Sequence, residues 1–287
     1  MKLNVGVDIG AGSGKFAAPL DQVPGWTGAV IDDYAVVEGI PTQADFRETG
    51  ASIYRLIDEN FGTPTSIAVG CFGPLDLHAK TILNAPNLHG WIGQSFREWE
   101  ELFQLPIILD NDANCAAYAE AIKGTGRLSR VVSCWTLGSG IGNGLIIDKM
   151  IHHGVWDPEG GHICLDPDGP LCGCGQRGCL EAYISTQALR NKYHAEPKEL
   201  AGNEAVWDYY AHYLGWGCQI LAMTVNPEII VLCGGIAKQP GLLEKVRGRF
   251  SSMVKVYPKE AVLPRIVIGE FLSSAGIIGA VELARAS

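Results

Sequence analysis

Two glycine-dense turns, about 130 residues apart, constrain the fold of this chain more than any other feature. The runs VGVDIGAGSG (5–14) and WTLGSGIGNG (135–144) each join an apolar strand to a turn rich in glycine and then to a second strand. Glycine adopts backbone conformations closed to other residues and lets a ligand come close to the main chain. Exposed amide N–H groups in such a turn form an anion cradle. Two cradles predict duplicated halves that face an extended polyphosphate rather than a single anion. In the first, Asp8 at the strand end is placed to hold a phosphate-bound magnesium, directly or through water, and Gly10, Gly12, Ser13, Gly14 and Lys15 form the turn. The second offers Thr136, Gly138, Ser139 and Gly140, and a glycine pair after another strand, Gly234 and Gly235, can carry a base or ribose. Taken singly, the first turn reads equally well as a β-hairpin whose glycines serve geometry alone. Two familiar phosphate motifs are excluded. A dinucleotide fingerprint needs glycine where Lys15 stands, and a P-loop needs glycine at Ile9 and Ser or Thr at Phe16.

Around these turns the chain alternates strand and helix patterns. Continuous β-branched runs bounded by turn residues predict strands at 3–9, 66–71, 107–110, 131–137, 144–148, 228–232 and 265–268. Helices are predicted at 43–60, 113–123, 204–225, 242–256 and 274–286. In the first of these, Phe46, Ala51, Ile53, Leu56 and Ile57 recur at roughly helical spacing ahead of a stop at Gly62. The alternation argues for α/β sheets with helical cover. A length of 287 residues accommodates two domains. The expected division is 1–111 as an N-terminal α/β domain, completed by the last helix (274–287), and 112–273 as a larger α/β domain.

Between His162 and Glu181 lies HICLDPDGPLCGCGQRGCLE. Cys172, Cys174 and Cys179 fall within eight residues, separated by glycines that let a tight loop turn back on itself. With His162 as a fourth ligand they form a tetrahedral structural zinc set, which leaves no open position for an activated water. Soft thiolates favour zinc over magnesium or calcium. The other six cysteines sit in apolar or small-residue surroundings and read as core.

The run ILDNDAN (108–114) places Asp110, Asn111, Asp112 and Asn114 where a buried strand gives way to a helix. Asp112 by itself reads as an N-cap, but carboxylates at strand ends in α/β folds also point into ligand clefts. Further polar clusters lie at Asn84–Trp91 and Glu159–His162. Asn, Asp, Glu and His are the groups that read vicinal hydroxyls, so a polyol ligand is expected. His89, His152 and His153 read as surface residues.

Charge and composition narrow the class. A net charge of −9 argues against a nucleic-acid partner, since phosphate backbones are held mainly by clustered Lys and Arg. The opening MKLNVGVDIG lacks the apolar run and cleavage site of a signal peptide. Nine cysteines, an odd count, suit a reducing compartment. No stretch approaches the ~20 apolar residues needed to span a bilayer, so a cytoplasmic protein is expected.

The motifs together resemble the ROK family of bacterial sugar kinases across nearly the whole chain. The resemblance rests on Asp8-Ile-Gly, GCFGP (70–74), Asn84 to Trp91, NDAN (111–114), Thr136 to Gly142, Glu159-x-x-His162, the cysteine run through Glu181, and NPEIIVLCGG (226–235). It implies a two-domain actin-like ATPase fold, ribonuclease H-like and hexokinase-type, with an interdomain cleft. It implies ATP and magnesium beside zinc, and phosphorylation of a hexose on its 6-hydroxyl: glucose first, N-acetylmannosamine or N-acetylglucosamine as alternatives. A non-catalytic sugar-binding regulator on the same scaffold is the rival reading. By motif match Asp112 is the general base, while Asn87, Asn111, Glu159, His162 and Glu181 contact sugar. A homodimer is implied by the family's habit. The chain departs from the family pattern in a lengthened first turn around Ala11, and in Trp156-Asp-Pro158 where small residues are usual.

Overall fold

The computed structural model describes residues 2–10, 12–85, 88–258 and 260–287. It divides into two units, Met1–Ala119 with His153–Asp157 and Ser274–Ser287, and Glu120–His152 with Pro158–Ser273. Among the described residues no helix is long and apolar enough to cross a membrane.

In the first unit a hairpin, β1 (Asn4–Ile9) and β2 (Ser13–Pro19), is extended by β3 (Val30–Ile31) and β4 (Tyr34–Pro41). Helix α1 (Phe46–Phe61) leads to β5 (Ser66–Cys71) and a small ribbon, β6 (Leu75–Asp76) with β7 (Thr81–Ile82). Helix α2 (Arg97–Phe103), β8 (Ile107–Asn111) and α3 (Asp112–Ile122) follow. The sheet order is β3-β4-β2-β1-β5-β8, with β1, β5 and β8 parallel.

The second unit opens with another hairpin, β9 (Val131–Leu137) and β10 (Ile141–Ile147), edged by β11 (Met150–Ile151). Then come α4 (Leu180–Ile184), α5 (Thr186–Tyr193), α6 (Glu204–Thr224), β12 (Ile229–Cys233), α7 (Leu242–Met253) and β13 (Arg265–Ile268). Its sheet order is β11-β10-β9-β12-β13, with β12 parallel to β9 and β13. Helix α8 (Ala275–Ala286) completes the first unit. Each half is therefore a glycine-turn hairpin whose first strand continues into two parallel strands. This is the duplication that the two turns predict.

Local chemistry sets the elements. Asp45 caps α1 by accepting from the Glu48 N–H at 2.8 Å, and Gly62, at φ +92°, ends it where a stop was expected. The buried face of α1 carries Phe46, Ile53 and Ile57, and Phe46 stacks on Trp99 with ring centres 5.0 Å apart. Each such side chain contributes about 1.5–3 kcal/mol of burial. The second core gathers on α6, whose Trp207, Tyr210, Leu214 and Cys218 face the sheet beside Trp135.

Apart from the two-residue strands β3, β6, β7 and β11, four named elements were not anticipated: β4, α2, α4 and α5. Strand β4 hides its pattern because the register against β2 shifts between Gly14 and Phe16, and Gly39 there stands at φ +75°. A bulge breaks the period-two signal. The others are helices of five to eight residues, too short for an amphipathic period to show. The first unit also runs past the expected 111/112 division. Helix α3 stays with it through Ala119 because α8 presses on its backbone. A Cβ on Gly279 would fall 1.8 Å from the Cys115 carbonyl oxygen, and one on Gly6 would fall 2.4 Å from the Val281 nitrogen.

That contact is testable. Gly279→Ala would ordinarily stabilise a helix interior by roughly 0.5–1 kcal/mol. Here overpacking reverses the sign, and a loss of about 1–3 kcal/mol is expected in denaturant unfolding. A midpoint at or above wild type would show that α8 does not press on α3 in this way.

Candidate active site

The carboxyl ends of β1, β5 and β8 align, with Asp8 opposite Gly70 and Gly70 opposite Asp110. Sheets of this kind bind ligands just beyond such strand ends. Gly70 lets α3 sit close: a Cβ there would lie 3.0 Å from Cys115 Sγ and 3.8 Å from Asp112 Cα. Asn111 caps the helix, its Oδ1 accepting from the N–H of Ala113 (2.8 Å) and of Asn114 (3.3 Å). Asp112 is the first helical residue, and its Oδ1 also accepts from the Ala113 N–H at 2.8 Å. The capping role weighed for Asp112 thus falls chiefly to Asn111. Burial, followed by the charge of Asp8, pushes the Asp112 carboxyl up to about 6, although backbone N–H groups pull the other way.

Asp8 is raised by burial and lowered in part by Lys15, whose Nζ lies 3.3 Å from Oδ2. Lys15 faces Asp8 across the hairpin, so its ammonium serves that carboxylate. The Gly10 N–H donates to the Ser13 carbonyl oxygen at 3.1 Å and closes the turn on itself. Gly12 and Ser13 are exposed, whereas Gly14 is buried in β2. Ala11 and Asn87 lie outside the described residues.

A polar network lies beside this corner that sequence reasoning missed. His153, read as a surface residue, has Nε2 3.0 Å from Asp110 Oδ2. Asn114 Nδ2 donates to Asp110 Oδ1 (2.9 Å) and to Asp157 Oδ1 (3.0 Å). The available signal was Asp110 itself, a carboxylate at the end of an otherwise apolar strand.

In the second unit the Gly138 N–H donates to the Gly140 carbonyl (3.1 Å), and the Gly142 N–H to Thr136 Oγ1 (3.1 Å). Ser139 is exposed at the tip. Gly234, at φ +90°, abuts the end of β9, where a Cβ would be 2.3 Å from the Leu137 carbonyl oxygen. The second turn and the glycine pair therefore meet. They share a cavity of 370 Å³ whose lining includes Leu137, Gly138, Thr186, Trp207, Gly235 and Lys238.

The cysteine loop is built by backbone turns. Gly175 and Gly178 stand at φ +91° and +67°, and a Cβ on Gly178 would collide with the Asp166 carbonyl. His162, Cys172, Cys174 and Cys179 converge, each offering a ligand atom within 4.8 Å of the others. Cys172 Sγ lies 3.6 Å from His162 Nδ1, and Cys174 Sγ lies 3.7 Å from Cys179 Sγ. Of the remaining cysteines, Cys164 is exposed rather than core, because it lies in the loop strand that pairs with Cys179. Glu181 joins this loop to the second glycine turn. Its Oε2 accepts from the Ile141 N–H at 2.8 Å, and its Oε1 lies 3.8 Å from Cys172 Sγ. Gly161 lets the Glu159–His162 turn press on β10, since a Cβ would be 1.8 Å from the Ile141 carbonyl oxygen. Glu159 is exposed and borders a separate cavity of 360 Å³.

Comparison with known proteins agrees with this architecture. The ROK family model matches residues 34–287. The chain belongs to the ROK family. It is 28% identical to a glucokinase of Streptomyces coelicolor, over 99% of this chain and 98% of that protein. It is 32% identical to an N-acetylmannosamine kinase of Vibrio cholerae, over 80% and 85%. The structure of a ROK family glucokinase from Streptomyces griseus, solved with glucose and AMPPNP, superposes with a TM-score of 0.82 at 26% identity, covering 99% of this chain and 100% of that one. The expected α/β actin-like, hexokinase-type fold is borne out by this likeness.

The capping assignment separates two neighbouring residues of this ROK protein. Asn111→Ala is expected to cost about 0.5–2 kcal/mol of stability. Asp112→Asn keeps an acceptor and removes a half-buried charge. A folded carboxyl at about 6, against an ordinary value of 3.8, costs stability above that window and none below it. The Asn variant should therefore gain about 1–3 kcal/mol near pH 7.5, with the gain fading as pH falls through 6 toward 4. Equal losses in both variants, seen in melts across this pH range, would return the cap to Asp112.

Proposed function

We propose that this ROK protein transfers the γ-phosphoryl group of ATP to the 6-hydroxyl of a hexose, with glucose the first sugar to test. The chain is a sugar kinase of the ROK family. The observation that carries this proposal is Asp112, a carboxylate at a strand-end corner whose pKa is pushed up to about 6. Such a group is ionised at pH 7 yet basic enough to take a proton. A sugar hydroxyl is a poor nucleophile. Asp112 would orient it and accept its proton as the bond to phosphorus forms, while positioning and charge stabilisation supply most of the acceleration.

The other roles follow from the chemistry of each group. The nucleotide would lie in the 370 Å³ cavity, where Gly138 and Gly235 keep the wall open and the second turn, through Thr136, Ser139 and Gly140, meets phosphate. Asp8, with Gly10, Gly12, Ser13, Gly14 and Lys15 around it, fits the magnesium side: its half-buried carboxylate is only partly offset by Lys15. Magnesium neutralises charge on the phosphates when bound. Asn111, Glu159, His162 and Glu181 are the proposed sugar contacts, together with Asn87.

The loop suits a structural zinc. Zinc bonds of ~2.3 Å to sulfur and ~2.0–2.1 Å to imidazole nitrogen place tetrahedral ligands about 3.8 Å (S–S) and 3.6 Å (S–N) apart. The observed 3.7 and 3.6 Å agree. With Nδ1 of His162 turned to the cysteines, Nε2 is left for a sugar hydroxyl.

The deciding experiment is coupled ADP release across glucose, N-acetylmannosamine, N-acetylglucosamine and fructose, with and without magnesium. Turnover on at least one hexose is expected, and none on any would leave a sugar-binding protein. Asp112→Asn should retain sugar binding and lose about 10²–10⁴ in kcat. Near-normal turnover in that variant would remove Asp112 from the chemistry. Cys174→Ser should lower zinc content and sugar affinity together, and zinc-free protein prepared without chelator would end the zinc assignment.

A further inference from the structure

Asp110, Asn114, His153 and Asp157 form a second cluster, unrelated to the cysteine loop and unused by the proposed chemistry. Two carboxylates are buried here side by side, with side-chain exposures of 6% for Asp110 and 5% for Asp157. Each has one oxygen anchored. Asp110 Oδ1 accepts from the Asn111 N–H (2.8 Å) and from Asn114 Nδ2 (2.9 Å), and Asp157 Oδ1 accepts from the same Nδ2 (3.0 Å). Both Oδ2 atoms are then left for something else. His153 Nε2 reaches Asp110 Oδ2 at 3.0 Å, but it is 3.8 Å from Asp157 Oδ1, beyond a hydrogen bond. Among the described residues, Asp157 Oδ2 is buried with no partner, as is Asn114 Oδ1.

One imidazolium therefore cannot satisfy this pair. An unpaired carboxylate oxygen held out of water carries a heavy desolvation cost unless a cation meets it. One imidazole nitrogen and two carboxylate oxygens are a donor set for first-row divalent ions of intermediate hardness. Each of the three residues offers one ligand atom within 4.8 Å of the other two. On an ion with bonds of ~2.1 Å, ligand atoms are about 3.0 Å apart when adjacent and about 4.2 Å when opposite. Asn114 then plays the usual outer role, orienting both carboxylates through the oxygens the ion does not use.

We propose that Asp110, His153 and Asp157 hold a divalent cation that fastens the segment 153–157 to the corner between β8 and α3. That segment leads through Pro158 into Glu159, and Asp110 directly precedes Asn111 and Asp112. The ion would thus fix the main chain on which several proposed active-site residues depend, without touching substrate.

The probe is Mn²⁺ alone, added to the full chain without nucleotide and followed by electron paramagnetic resonance. One sub-millimolar site is expected in the wild type. It should weaken at least tenfold in Asp157→Asn and in His153→Gln, and stay unchanged in Cys174→Ser. As an independent check on intact protein, Mn²⁺ should broaden the His153 ring resonances, assigned by their loss in His153→Gln. No sub-millimolar site, an affinity equal to wild type in both variants, or a His153 ring left sharp would each overturn the proposal. A lost site with sugar kinase activity absent would still support it, because the site does not rest on the reaction.

Discussion

Close backbone contact, allowed by missing side chains, holds the charged corner of the first unit together. Gly6 lets α8 lie on β1, Gly279 lets α8 meet the backbone of α3, and Gly70 lets α3 settle beside β5. A methyl group at any of the three would meet a neighbour at 3.0 Å or less, which closely packed interiors do not absorb freely. The consequence is electrostatic. With helix and strands this close, Asp8, Asp110 and Asp112 are drawn to one edge of the sheet.

Gathering acids in a place that excludes water is unfavourable, and the cost is visible in both Asp8 and Asp112, whose carboxyls are raised. The fold answers each differently. Lys15 offsets Asp8, His153 and Asn114 meet Asp110, and among the described residues Asp112 has only backbone N–H groups. Asp112 is thus the least compensated of the three, which supports its proposed role as the base.

In the second unit Glu181 performs the linking. It ties the amide of Ile141, just after the second glycine turn, to the vicinity of Cys172. Order in the cysteine loop and order in that turn are therefore coupled through one carboxylate. Gly140 is small because Glu181 occupies the space a Cβ would take, 2.6 Å from Oε2. A glycine read from sequence as an anion cradle thus also serves packing.

Much of this was legible in the chain itself. Strands at 66–71, 131–137 and 265–268 appear at the predicted residues because continuous β-branched runs have few other uses. The convergence of His162, Cys172, Cys174 and Cys179 was legible because closely spaced thiols separated by glycines let the loop turn back on one point. Three things were decided only by tertiary structure. Which of Asn111 and Asp112 caps α3 depends on how the strand enters the helix, since either side chain can accept. That Lys15 answers Asp8 follows from hairpin register. That His153 and Asp157 meet Asp110, about forty residues away in sequence, depends on where a loop with no periodicity of its own is laid down. Periodicity and local spacing report contacts along one element, whereas contacts between elements are set by packing, and no local pattern encodes them.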